Sequence, residues 1–178
     1  MYKKVQTQVP RRWIFSHYEV KQPSPRLPDR SVETKGIKNK KENYQAFYIK
    51  KSVYEEIIAY CKQALPYEAC GLLSGINETG NTLWKIKNES VRLNRFYMSQ
   101  EAIKSAVMEM NEKDENLTGI FHSHPTSPAF PSSQDIENNP YDQIAYFIVS
   151  FYKGKVDVGC FKLNNKKVIP VKLNIIDE

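Results

Sequence analysis

Polar and apolar residues alternate over residues 45–50, which predicts a short strand, and from Ser52 the period lengthens. Val53, Ile57, Ile58, Cys61 and Leu65 fall on one helical stripe. Ser52 and Glu55 stand in the Ser-x-x-Glu relation of a capping box, and Pro66 should end the helix. Residues 71–74 and 82–86 flank a turn-rich link, Asn77-Glu-Thr-Gly80, and read as a hairpin. A second helix is predicted from about Ser99, with Ala102, Ile103, Ala106, Val107 and Met110 at helical spacing and Glu101 in its first turn, favourable to the helix dipole.

Beyond Asn116 the period returns to that of strands. Residues 117–122 read as one strand, followed by a Pro-rich loop over 125–131. Residues 144–151 are almost continuously apolar, as suits a strand buried on both faces. Strands are also predicted over 156–162 and 168–176, the second broken or edged by Pro170. The sum is an α+β domain: two main helices around a mixed or antiparallel sheet.

Residues 1–44 follow neither period. Pro23, Pro25 and Pro28 crowd together there, and residues 1–50 hold 12 Lys/Arg against 4 Asp/Glu, whereas the remainder holds 14 against 16. The formal charge of +6 therefore describes an extension, not the domain. Such a segment cannot bury enough apolar surface to offset its ordering entropy, so residues 1–44 are expected to be a basic, disordered extension to a domain over 45–178. Three cysteines with no Cys-x-x-Cys pair argue against a disulfide framework. With no long apolar run and no signal-like N-terminus, the expected compartment is the cytoplasm.

Two of the three histidines stand together in His122-Ser-His124. Strand residues at i and i+2 share a face, so both imidazoles point one way while Ser123 points the other. Taken alone, such a pair is most often a hydrogen-bonded or surface pair. A metal needs a further ligand; His17 lies in the extension, and Asp135, across a loop stiffened by Pro125, Pro128 and Pro131, is the best third candidate. Ser132 and Asp135 also form a helix N-terminus signature, and the two roles are compatible. An open zinc site of this composition keeps a position for water and lowers its pKa to about 7. Hydrolysis then needs a base, for which Glu68 is the candidate, although alone it reads as a solvated loop carboxylate. Cys70 could be a ligand or a thiol nucleophile; beside Gly71 it reads better as a small buried apolar residue.

Glu68, then His122-Ser-His124-Pro125, six residues, Ser132, two residues and Asp135 resembles the JAMM motif of the MPN-plus, or JAB-domain, metalloproteases, with every position filled at the family's spacing. The resemblance spans roughly residues 45–176. It implies a cytidine-deaminase-like α+β fold, with a central mixed sheet flanked by two main helices and one short helix. It also implies a zinc ion on His122, His124 and Asp135, Glu68 as proton shuttle for the attacking water, and Ser132 as hydrogen-bond donor to the tetrahedral oxyanion. Such enzymes cut peptide or isopeptide bonds, commonly at the C-terminal tail of ubiquitin or a ubiquitin-like protein. Between Asp135 and the apolar run there is room only for residues 136–143, so large recognition insertions are missing and the chain resembles the compact prokaryotic branch. The expected partner is a ubiquitin-like or sulfur-carrier protein whose extended tail lies along a strand edge by β-augmentation. No membrane partner is expected, nucleic acid is disfavoured, and a homo-oligomer stays open. The alternatives are an inert MPN-type scaffold and a DNA-associated protein of the RadC type.

Overall fold

A computed structural model describes residues 45–139, 141 and 143–177. The expected disordered extension over residues 1–44 lies outside the described residues. The chain runs β1 (Ala46–Lys50), α1 (Lys51–Gln63), β2 (Cys70–Gly75), β3 (Thr79–Gly80), β4 (Thr82–Ile86), α2 (Gln100–Glu112), β5 (Asn116–His124), α3 (Ser133–Asn138), β6 (Ala145–Ser150), β7 (Asp157–Asn164), β8 (Lys167–Pro170) and β9 (Lys172–Ile176). This is an α+β architecture in which strands and helices share the core.

Six strands form a mixed sheet in the order β4-β2-β5-β6-β7-β8. Only the β5–β6 pair is parallel. The hairpin expected from residues 71–86 is present, with Cys70 opposite Ile86 and Ser74 opposite Thr82. The apolar run became β6, whose six residues are all buried. The β7–β8 turn places Asn165 and Lys166 at positive φ, as a two-residue hairpin turn requires.

Two expectations need correction, and a third gains detail. The helix α1 begins at Lys51, not at Ser52: Lys50 is the N-cap and no side chain caps it. The reason is tertiary, because β1 stays extended as far as Lys50, which pairs with Ile176 of β9, and the helix follows at once. Leu65, assigned to the α1 stripe, lies beyond the helix and is exposed, whereas Val53, Ile57 and Cys61 are buried as expected. The strand over 168–176 is broken after Pro170, one of the two readings offered for it, and its halves lie in two sheets. Pro170 has no N–H with which to extend β8, and after Val171 the chain crosses to pair in parallel with β1 in a separate sheet ordered β3-β1-β9.

Two apolar clusters cover opposite faces of the six-stranded sheet. One holds Phe47, Ile57, Cys61, Leu73, Phe121, Phe147 and Val149, with Phe47 and Phe147 edge-to-face at 4.9 Å. The other holds Leu72, Ile103, Met110, Ile120, Tyr146 and Ile148. Gly71 is obligatory in this packing, since a Cβ there would lie 2.2 Å from the Trp84 carbonyl oxygen and 2.5 Å from the Phe121 ring. Among the described residues no helix is long and apolar enough to cross a membrane.

Candidate metal centre and its cleft

Strand β5 delivers both histidines to one face, as its alternation demands. His122 Nε2 and His124 Nε2 lie 3.0 Å apart. The Asp135 carboxylate completes the group, with Oδ1 3.4 Å from His122 Nε2 and Oδ2 3.6 Å from His124 Nε2. The three candidate ligand atoms lie within 4.8 Å of one another, and all three residues are buried. Residues separated by the Pro-rich loop thus converge as their spacing predicts.

The carboxylate is placed by a helix start. Ser132 is the N-cap of α3; its Oγ accepts the Asp135 N–H at 3.2 Å, and Asp135 Oδ2 accepts the Ser132 N–H at 2.7 Å. That reciprocal capping box stabilises such a helix by about 1 kcal/mol and locks the Asp135 rotamer. Ser132 and Asp135 therefore do cap a helix, and the same cap aims the carboxylate at the histidines.

Electrostatics follow from this geometry. Burial alone would raise the Asp135 carboxyl, but its contacts with His122, His124 and Ser132 hold it well below the usual carboxylate range. Burial lowers the His122 imidazole against the pull of Asp135. For His124 burial works in the same direction, yet Asp135 and the Pro128 carbonyl outweigh it and raise the group. His124 Nδ1 sits 2.8 Å from Pro128 O, an acceptor only, so Nδ1 carries a proton and the neutral ring turns a lone pair on Nε2 toward His122 and Asp135. The donor set fits a metal. Two buried imidazole nitrogens and one ionised carboxylate present lone pairs to a common point, and two-nitrogen, one-carboxylate sets of this kind suit zinc with one position left open.

Glu68 is not a solvated loop carboxylate. It is 7% exposed, and burial pushes its carboxyl up to about 7, with His124 opposing and the Asp135 charge adding to the rise. Glu68, His124, Ser132, Asp135 and Tyr146 line one cleft of about 1160 Å³, with Phe96 and Arg95 on the facing loop. Cys70 lies outside this chemistry. Its thiol is fully buried, contacts Ile86 O at 3.6 Å, and burial drives its pKa strongly upward, so it is neither ligand nor nucleophile.

Three residues that sequence reasoning passed over, and Ser123, which it placed but gave no role, shape the site. Tyr146, inside the apolar run, donates its hydroxyl to Asp135 Oδ1 at 3.3 Å. Phe96 stacks on the His122 ring at 4.6 Å between centroids, tilted by 26°. Asn88 donates through Nδ2 to Glu68 O at 2.8 Å and Arg95 O at 3.0 Å, while its Oδ1 accepts from Ser90 N at 2.8 Å and Tyr97 N at 3.0 Å. Ser123, turned away from the histidines as expected, accepts the Ala69 N–H on Oγ at 2.8 Å and donates its own N–H to Ala69 O at 3.0 Å. The one available signal was for Tyr146, a hydroxyl in an otherwise apolar strand; a polar tip in such a place needs a partner.

Residues 50–160 match the family of prokaryotic homologues of the JAB domain. The chain is 31% identical to a desampylase of Pyrococcus furiosus over 102 residues, 56% of this chain and 70% of that protein. It is 28% identical over 90 residues to a probable TtuB-protein conjugate cleaving protease of Thermus thermophilus, 51% of this chain and 61%, under two thirds, of that protein. A solution structure of a Desulfitobacterium hafniense protein superposes with a TM-score of 0.68 at 28% identity, covering 74% of this chain and 94% of the other.

Proposed function

The chain belongs to the prokaryotic JAB-domain family, and from that premise we propose that residues 45–178 form a zinc-dependent peptidase or isopeptidase acting on the C-terminal tail of a ubiquitin-like or sulfur-carrier protein. The observation that carries this reading is a buried glutamate that lines one cleft with His124 and Asp135, two members of a converged cluster completed by the more deeply buried His122. Its relatives, a desampylase and a protease of TtuB conjugates, support a ubiquitin-like substrate.

His122, His124 and Asp135 would hold the zinc. Bound there, the ion would supply Lewis-acid polarisation of the scissile carbonyl and a more acidic water. Glu68 acts as base: with a pKa lifted toward neutrality it takes a proton from the attacking water and gives it to the leaving nitrogen. The C–O bond forms first and pushes the carbonyl electrons onto oxygen; collapse of that oxyanion breaks the C–N bond, and a carboxylate and an amine depart. Ser132, whose oxygen accepts the Asp135 N–H, would turn its hydroxyl hydrogen from Asp135 to the developing oxyanion. The substrate tail runs along β4, one edge of the six-stranded sheet, whose chain continues into the loop that faces Glu68 across the cleft.

The complete cluster weighs against an inert scaffold, and a RadC-type role would rest on residues 1–44, outside the described residues. The test is incubation with ubiquitin-like proteins carrying short C-terminal extensions, in peptide and isopeptide linkage, with and without chelator. Intact mass should show loss of the extension only without chelator. Zinc-loaded protein that leaves every such tail whole overturns the assignment.

A further inference from the structure

The Glu68–Ala69 peptide group is held at both polar ends by side chains from elsewhere in the fold. Its carbonyl oxygen accepts Asn88 Nδ2–H at 2.8 Å, and its N–H donates to Ser123 Oγ at 2.8 Å. Neither side chain comes from the hairpin partner or helix nearest in sequence. Asn88 lies 20 positions from Glu68 and Ser123 lies 54 from Ala69. This peptide stands just before β2, where the ladder with β5 first takes hold at Cys70 and His122. The backbone bond from Ser123 N–H to Ala69 O holds the following peptide group and leaves this one to the two side chains, and the rotation that turns its plane is the one that swings the Glu68 side chain.

We infer that Asn88 and Ser123 are the positioning residues of the reaction, a two-point clamp that fixes the Glu68 backbone so that its carboxylate faces the His122, His124 and Asp135 cluster. The inference rests on the reading of Glu68 as the base. Ser123 is suited to the task by register: it sits between the two histidines, so one strand presents the ligand pair on one face and the clamp for the base on the other. Base and cation site are thereby referenced to the same three residues of β5. Asn88 adds a second link. Its remaining hydrogen bonds close the neck of the loop that bears Phe96, and Phe96 lies flat on His122. The clamp is fully buried at its Ser123 end, so no water replaces it when the oxygen is removed.

The experiment compares zinc-loaded wild type, Ser123→Ala, Asn88→Asp, the double variant and Ser123→Ala in a Glu68→Gln background. Each is assayed for cleavage of a ubiquitin-like protein extended past its Gly-Gly terminus by a labelled pentapeptide. Asn88→Asp keeps the acceptor for Ser90 and Tyr97 but places a carboxylate oxygen against the Glu68 carbonyl. We expect kcat to fall about 10- to 100-fold in each single variant, with KM within about threefold and zinc stoichiometry unchanged. The double variant should lose little more than either single, since both act on one peptide group. With Glu68 replaced by Gln, Ser123→Ala should change the residual rate less than twofold, because the group it positions is gone. A folded, zinc-loaded Ser123→Ala or Asn88→Asp protein with wild-type kcat overturns the inference, as does a further large loss in the Gln background. A wild type that cleaves no tail overturns the reading of the base and the clamp with it, which separates that failure from a failure of the clamp alone. Should Asn88→Asp not fold, Ser123→Ala and its Gln-background partner decide.

Discussion

The two faces of β5 are a controlled comparison within one strand. On one side Phe121 packs with Ile57, Cys61 and Phe147, and the polar groups there are satisfied, Ser123 by Ala69 and the Tyr60 hydroxyl by Ile86 O. On the other, Ile120 gives way to His122 and His124, which are buried beside Glu68, Asp135 and Tyr146. The first face is built for cohesion. The second buries polar groups at a desolvation cost that only mutual contacts offset, and His122 Nδ1 lacks any hydrogen-bond partner among the described residues. The difference teaches that stability and chemistry are divided by the strand's alternation, so substitutions one residue apart should separate them.

The largest effect is expected from His122→Ala. Turnover and stoichiometric zinc should vanish together by metal analysis, and the thermal midpoint should fall below that of the zinc-loaded wild type, because metal-linked stability leaves with the ion and Asp135 loses a buried partner. An Ala variant that keeps zinc would erase the contrast between the faces. Glu68→Gln comes next: zinc is retained and kcat falls by about 10²- to 10⁴-fold in steady-state assays. On the packing side, Gly71→Ala should cost more than about 3 kcal/mol in denaturant unfolding, since its Cβ meets the Trp84 backbone, which cannot swing aside as a side chain can. Its turnover per folded molecule should stay near wild type.

Smaller effects sharpen the same contrast. Tyr146→Phe removes the hydroxyl that steadies Asp135 and should weaken zinc affinity about tenfold in a chelator competition titration. The smallest signal is a pH slope in metal-free protein. The Glu68 carboxyl is raised to about 7 in the folded state, so its favourable contribution is complete below the ordinary carboxylate range and is lost as pH rises through about 7. The midpoint of chelated wild type should therefore decline against that of Glu68→Gln over this interval. Parallel midpoints would show that Glu68 is not desolvated.

Much of this was legible in residue order. The i, i+2 spacing of His122 and His124 placed both rings on one face because strand geometry leaves no alternative. Ser132 and Asp135 announced a helix start through capping chemistry, which is local in sequence. The burial of Glu68 was not legible, since nothing in Pro66-Tyr-Glu-Ala-Cys70 shows that β5 and the Asn88 loop close over it. The capping box read at Ser52 failed for the same reason in reverse: pairing of Lys50 with Ile176 decided where the helix could begin.

What residue order determined by itself is which candidate ligands share a face and where the helix that carries Asp135 starts, because strand period and capping depend on neighbours within a few positions. Tertiary structure alone decided the neutral-range glutamate, the hydroxyl of Tyr146 on Asp135, the clamp on the Glu68 peptide and the division of residues 168–176 between two sheets. Each of these needs groups distant along the chain to exclude water or to pair across a gap, and desolvation and distance belong to the folded molecule as a whole.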